Sequence, residues 1–334
     1  MKTMTVKIAL RAVASAAILS AVMLVHPATA EPVIYVAAGS ANKVLAIDPK
    51  TNTVIREFGG IENPHALTIT PDGEYVIAGS LKESLREKGD TRPPESTIYI
   101  IHPIHGHVMS TIPVEGMIHH QAITPDGRYV ISTHPTRGGI SYADITGEHG
   151  ARNVKTGPGP NYTVVRKDGS KAYVSNSGNG TISELDLRTW IVARNIEGGP
   201  SPEHLALSGD GKTLYALSAR AGKISAVDID GGKVDKVWDI GKGAHGLDLS
   251  EDGRALFATN RKLELLIAID LVTGERREMK LSPQPYHLEV LPGINRIYVS
   301  SRQDPKIWVI DPGTWKVVGE IAISGEGHQM VLGN

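Results

Sequence analysis

From residue 33 to its end the chain alternates short apolar, β-branched runs with clusters of Gly, Asn, Asp, Ser and Pro. Val33-Ile34-Tyr35-Val36-Ala37-Ala38, Lys43-Val44-Leu45-Ala46-Ile47-Asp48 and Thr53-Val54-Ile55-Arg56-Glu57-Phe58 are half-alternating segments of strand length between turn-forming residues, so each predicts a β-strand. We label these strands B, C and D. A fourth, A, lies in Asn63-Pro64-His65-Ala66-Leu67-Thr68-Ile69-Thr70-Pro71-Asp72-Gly73, where Asp72-Gly73 predicts a tight hairpin into the next strand B and glycine supplies the positive φ.

The A-strand stretch returns along the chain. Its turn glycines, Gly73, Gly127, Gly169, Gly211 and Gly253, advance by 54, 42, 42 and 42 residues, and Pro292-Gly293 replaces Asp-Gly in a further copy. A second register agrees: Asp48, His102, Asp144, Asp186, Asp228, Asp270 and Asp311 end strand C at separations of 54, 42, 42, 42, 42 and 41. A period near 42 with about four short strands per unit predicts a β-propeller. The period is entered at strand B and left at strand A, His328 to Leu332. Pairing those two strands closes the ring and removes exposed sheet edges. The fold class expected is therefore all-β, a seven-bladed propeller of four-stranded antiparallel blades, with one blade stitched from both chain ends. The extra 12 residues of the longest repeat fall between strands B and C, within 81–96. This charged, proline-closed stretch reads as a surface loop, either a lid or a tolerated insertion.

Ahead of the first repeat, Lys2, Lys7 and Arg11 precede an apolar run, Ala12 to Val25, and then Ala28-Thr29-Ala30. That order predicts a cleavable secretory signal over 1–30, and the run is shorter than the roughly 20 apolar residues a retained anchor requires. A single domain, 31–334, remains, expected in the periplasm or outside the cell with no membrane span. Cleavage leaves 32 Lys+Arg against 36 Asp+Glu, a balance that argues against a general nucleic-acid binder, which depends on neutralising phosphates. The chain has no cysteine, so disulfides, thiolate ligands and covalent c-type haem attachment are excluded. Any metal falls to nitrogen and oxygen ligands. No Gly-x-Gly-x-x-Gly follows a strand and opens a helix, and phosphate-loop, His-Glu-x-x-His and nucleophile-elbow motifs are absent.

Tyr173-Val174-Ser175-Asn176, Tyr298-Val299-Ser300-Ser301 and the stretch from Pro64 to Gly73 resemble the YVTN family of β-propeller repeats across the whole chain after the signal. The resemblance implies the fold and leaves the activity open, because similar propellers include haem-handling proteins of nitrite reductase systems, lyases, lactonases and surface adhesins.

Candidate chemistry collects where strand A begins. Counting back from the turn glycines, with the last two copies placed by alignment, the eighth residue is His65, His119, Asn161, Glu203, His245, Tyr286 and His328, and the seventh is Ala66, His120, Tyr162, His204, Gly246, His287 and Gln329. Strand A is innermost in a propeller, so residues 42 apart become neighbours around the channel. His65, His119, His120, His204, His245, His287 and His328 are therefore candidate ligands for a transition metal, with copper, zinc or iron suited to several imidazoles. The competing reading is a set of hydrogen-bonded structural histidines. In family repeats the seventh residue is usually glycine, and His120, Tyr162, His204 and His287 depart from it. The ends of strand B add Lys82, Arg137, Arg220, Arg261 and Arg302 on the same face, with His134 and Asn176 in other blades. Together with Tyr162, these cations suit a small anionic ligand. Asp248 and Glu289, three residues farther in, are possible oxygen ligands. Asp48 and its equivalents read as turn-closing residues. His102, His105, His107 and His149 fall in C-to-D turns on the opposite face. Two functions follow as expectations: an exported propeller that binds a metal ion and/or a small anionic ligand at a His-ringed channel mouth, with metal-dependent catalysis of lyase, hydrolase or oxidase type left open, or a non-catalytic accessory protein offering a propeller face to a protein partner or cofactor.

Overall fold

The computed structural model describes residues 31–85 and 90–333. The expected signal, 1–30, and residues 86–89 of the insertion lie outside the described residues. Strands Val33–Ala38, Lys43–Asp48 and Thr53–Phe58 form where the apolar periodicity places them. Seven four-stranded antiparallel sheets follow one another along the chain. The C-terminal strand Gly327–Gly333 pairs with Val33–Ala38, with Tyr35 opposite Val331 and Val36 opposite Met330. This seam makes the chain a closed seven-bladed propeller. Among the described residues no helix is long and apolar enough to cross a membrane.

Position within the blade explains the sequence pattern. Strands B and C have neighbouring blades on both faces, so Val33–Ala38 and Lys43–Asp48 are almost wholly buried and read as continuous apolar runs. Strand D forms the outer edge, so Thr53–Phe58 is largely exposed and only Phe58 at its end is buried. The Asp-Gly hairpins lock themselves: Thr70 Oγ1 donates to Asp72 Oδ1 at 2.6 Å, the Glu74 N–H donates to the same oxygen at 3.0 Å, and Gly73 takes φ 74°. At the other turn, Asp186 Oδ1 accepts from both the N–H and the hydroxyl of Thr189 at 2.8 Å. Asp48 and Asp311 make comparable turn bonds, so these aspartates are structural.

One boundary moves. Strand C of the long repeat is Glu95–His102, so Glu95 and Ser96 belong to the sheet and not to the insertion. Ser84 bridges to Glu95, extending the ladder outward.

Candidate metal centre

Every strand A is irregular where it starts. The register slips between Pro64 and Ala66, Pro160 and Thr163, Ala244 and Leu247, and Pro285 and Leu288, and it slips again where Gly327 and Met330 meet Ala38 and Val36. In the remaining two blades regular pairing begins only after the histidines, at Gln121 and Leu205. A bulge breaks the strict two-residue alternation and re-aims side chains. Eighth- and seventh-position residues consequently meet around the axis: ring centroids lie 4.6 Å apart for His204–His245, 4.8 Å for His204–His287 and 5.1 Å for His245–His287. His287 lies 4.0 Å from His328, which lies 3.3 Å from His65, and His119 is 5.0 Å from His65.

His204, His245 and His287 are 2%, 8% and 2% exposed, and one ligand nitrogen from each lies within 4.8 Å of the other two. Imidazole nitrogens bound to one tetrahedral zinc, at about 2.0–2.1 Å each, stand about 3.3 Å apart. Modest side-chain movement therefore closes this triad on an ion. The Nε2 atoms of His65, His204, His245, His287 and His328 are all buried without a hydrogen-bond partner. Leaving a buried polar atom unsatisfied costs about 1–3 kcal/mol. A ligand that takes these lone pairs removes that cost.

The environment keeps the rings neutral. Burial holds His65, His120, His204, His245, His287 and His328 well below the usual histidine range, and neighbouring imidazoles push them further down. Burial also lowers His119, against the upward pull of its bond to the Asn161 carbonyl. A metal requires the neutral form, so no proton has to leave. His328 donates Nδ1–H to the His65 carbonyl at 2.9 Å and His119 donates to the Asn161 carbonyl at 3.2 Å. Such backbone bonds fix a metal-bound histidine's tautomer and leave Nε2 free.

His120 is set apart. The Gln329 amide is oriented by accepting from the Leu67 N–H at 3.0 Å and donating to the Gln121 carbonyl at 3.4 Å. Its Nε2 then donates to His120 Nε2 at 2.9 Å, occupying the lone pair a metal would use. Gln329 thus ties three blades together and turns His120 into a brace. His134 is structural too, with Nε2 bonded to Ser141 Oγ at 2.8 Å and Nδ1 to the Met117 carbonyl at 3.0 Å.

Lys82 and Arg302 line one cavity, Arg137, Arg220 and Arg261 do not, and acids accompany these cations. Lys82 pairs with Glu62, Arg302 with Glu326, and Arg137 with Glu83 at 3.5 Å. Arg220 and Arg261 both offset the burial that raises the Glu203 carboxyl. The Arg261 and Arg302 guanidiniums stand 5.4 and 4.8 Å from the Tyr286 ring centroid, and Tyr286 stacks on His245 at 4.0 Å. Through Tyr286 the two guanidiniums thereby also brace the His245 ring.

Two cavities flank the rings. One of about 490 Å³, on the face where strand A starts, has His65 and His328 in its lining beside the Lys82–Glu62 and Arg302–Glu326 pairs. The other, about 420 Å³, lies deeper along the channel and contains His120, Tyr162, Asp248 and Glu289. Tyr162 stacks on His120 at 3.4 Å and His204 at 4.7 Å, away from the rim cations. Asp248 accepts from the Leu249 and Val290 N–H groups at 2.7 and 2.8 Å, and crowding by protein pushes its carboxyl up to about 6. Burial and the adjacent Asp248 push Glu289 well above the carboxylate range. His204, His245 and His287 border neither cavity.

A family model for YNCE-like β-propellers matches residues 110–251. A search of curated proteins finds no match. Among solved structures, the chain is similar to a candidate 6-phosphogluconolactonase of Bacteroides fragilis (TM-score 0.75, 16% identity, 92% of this chain and 99% of that one). It is also similar to the periplasmic gluconolactonase of Pseudomonas aeruginosa (0.70, 18%, 91% and 99%) and to hydrazine synthase of Kuenenia stuttgartiensis (0.67, 18%, 78% and 86%). At these identities the likeness concerns the fold alone.

Proposed function

We propose that this seven-bladed β-propeller, with a hub formed by seven strand-A entrances and a stretch matched by a model for YNCE-like β-propellers, is an exported protein that binds a transition-metal ion through His204, His245 and His287. The observation that carries this reading is the convergence of three buried imidazoles, from strands 42 residues apart, with their Nε2 atoms unpartnered. Neutral nitrogen donors suit copper, zinc or iron. Because the ligands carry no charge, a bound ion would keep its full charge and would supply Lewis-acid chemistry or, for copper or iron, electron transfer. The polar cavity beside His65 and His328 is the place for a small molecule, and the rim cations can receive its anionic group once Glu62 or Glu326 gives way.

A second reading is a metal-holding accessory protein. It is favoured by the cover over the triad: His204, His245 and His287 border neither cavity. The two differ in exchange. An accessory protein that delivers its ion releases it to a chelator within minutes, whereas an enzyme's resident ion stays through gel filtration. Elemental analysis of protein purified without an affinity tag tests the shared premise. About one equivalent of metal, lost in the combined His204→Ala, His245→Ala and His287→Ala variant, is expected. Less than a tenth of an equivalent, unchanged after incubation with copper, zinc or iron, would refute it.

A further inference from the structure

The triad accounts for three of the five orphaned Nε2 atoms and leaves those of His65 and His328. These two rings face each other at 3.3 Å with a 30° tilt, 9% and 3% exposed, and no hydrogen bond joins them through Nε2. His119 stands 5.0 Å from His65 and 6.4 Å from His328. One of these three rings is already set for ligation: His328 spends Nδ1–H on the His65 carbonyl of the next blade, which aims the lone pair of Nε2 away from the backbone, whereas the 3.2 Å bond of His119 to the Asn161 carbonyl fixes its tautomer but holds it back from the pair. The set differs from the triad in its surroundings, because His65 and His328 border the cavity of about 490 Å³. The cations of that cavity do not bar an incoming ion, since Glu62 neutralises Lys82 and Glu326 neutralises Arg302.

We infer that the hub takes a second transition-metal ion, held by His65, His328 and His119 on the cavity side of the triad. This inference rests on the reading of the hub as a metal centre and extends it from one ion to two. His119 has to swing inward, as its 6.4 Å separation from His328 is wider than any spacing within the triad. Filling is therefore ordered, the compact triad first and the open set afterwards with lower affinity. The cavity supplies the remaining coordination positions of the second ion, so the second ion, and not the enclosed first, is the one that meets small molecules.

The test uses metal-free full-length protein, purified without an affinity tag and titrated with Zn²⁺ by calorimetry, with bound zinc counted after gel filtration. Two steps are expected, one equivalent each, the second at least tenfold weaker. His65→Gln and His119→Gln should each remove the second step and leave the first within a factor of about three. A single equivalent in the unaltered protein overturns the second site while leaving the triad intact. Two equivalents persisting in both variants also overturn it, and no binding at all overturns the metal centre itself. Should either variant fold poorly, electron paramagnetic resonance of the unaltered protein with Cu²⁺ decides. Signal intensity should match copper content at one equivalent and fall clearly below it at two, as neighbouring ions couple. Intensity that tracks copper through the second equivalent rules the pair out.

Discussion

At the residue scale, each histidine's role is set by what its second nitrogen does. Nε2 of His120 is occupied by Gln329, whereas Nε2 of His204 and His287 is not, although all three share one strand position. Replacing Gln329 by Leu should therefore lower stability by about 1–3 kcal/mol, the cost of stranding buried polar groups, while metal content stays unchanged. Chemical denaturation beside elemental analysis separates the two effects. Gly246 is a second pivot. A Cβ there would stand 2.8 Å from both the Leu288 nitrogen and the Tyr286 oxygen, backbone atoms on either side of His287. Gly246→Ala should cost about 1–3 kcal/mol through overpacking and also weaken metal binding, as read by the unfolding midpoint and a zinc titration. The lowered histidines give a pH dependence with a definite sign. Their folded-state pKa values lie below the unfolded value near 6.5, so the unfolded chain binds more protons and stability falls as pH drops below it. Each such ring contributes about 1.4 kcal/mol per pH unit in that window. Asp248 and Glu289 act oppositely: their raised values stabilise the fold at low pH and lose that effect as pH rises through about 6 for Asp248. With Glu203 and Glu326 also raised, four acids against eight lowered imidazoles, His134 included, leave a net loss. Metal-free protein should show a constant denaturation midpoint from pH 8 to 7 and a steep fall from 6.5 to 5; a flat profile to pH 5 would contradict the buried neutral cluster.

At the element scale, strand A carries the site and strands B to D carry the fold, and they were legible to different degrees. Val33–Ala38 and Lys43–Asp48 are continuous apolar runs because blades cover both faces, so hydrophobicity alone locates them. The ring-closing partnership of Gly327–Gly333 follows from the chain's entry at B and exit at A. The slips at Pro64/Ala66 and Pro285/Leu288 left no mark in the apolar pattern, so the assignment of seventh- and eighth-position rings to the site could be counted but not layered. Lys82 and Arg302 were evident as rim cations, but the acids that balance them were passed over. Glu62 lies three residues before His65 and Glu326 two before His328, and an acid just ahead of a strand-A histidine was the available signal. The Gln329–His120 bond joins residues 209 apart and depends on a side-chain orientation that no periodicity encodes. The closing strand has its own test. Ending the chain before Gly327 removes the partner of Val33–Ala38 and exposes the sheet edge, and the product should aggregate or lose cooperative unfolding by circular dichroism. A soluble, cooperatively unfolding product would show that the seam is dispensable.

At the scale of the whole molecule, sevenfold repetition turns distance along the chain into proximity at the axis, and the channel is divided by its own side chains. Imidazoles occupy the middle, a charge-balanced polar cavity opens on the strand-A face, and a carboxyl-bearing cavity lies deeper. Closure by the C-terminal strand holds His328 against both His65 and His287, so ring integrity and the histidine cluster are coupled. Crystals of the protein grown with zinc, with diffraction recorded on both sides of the zinc absorption edge, test the central claim most directly. The strongest anomalous peak should lie among the Nε2 atoms of His204, His245 and His287. Peaks confined to surface sites such as His102, His105 and His107, with none in the hub, would contradict it.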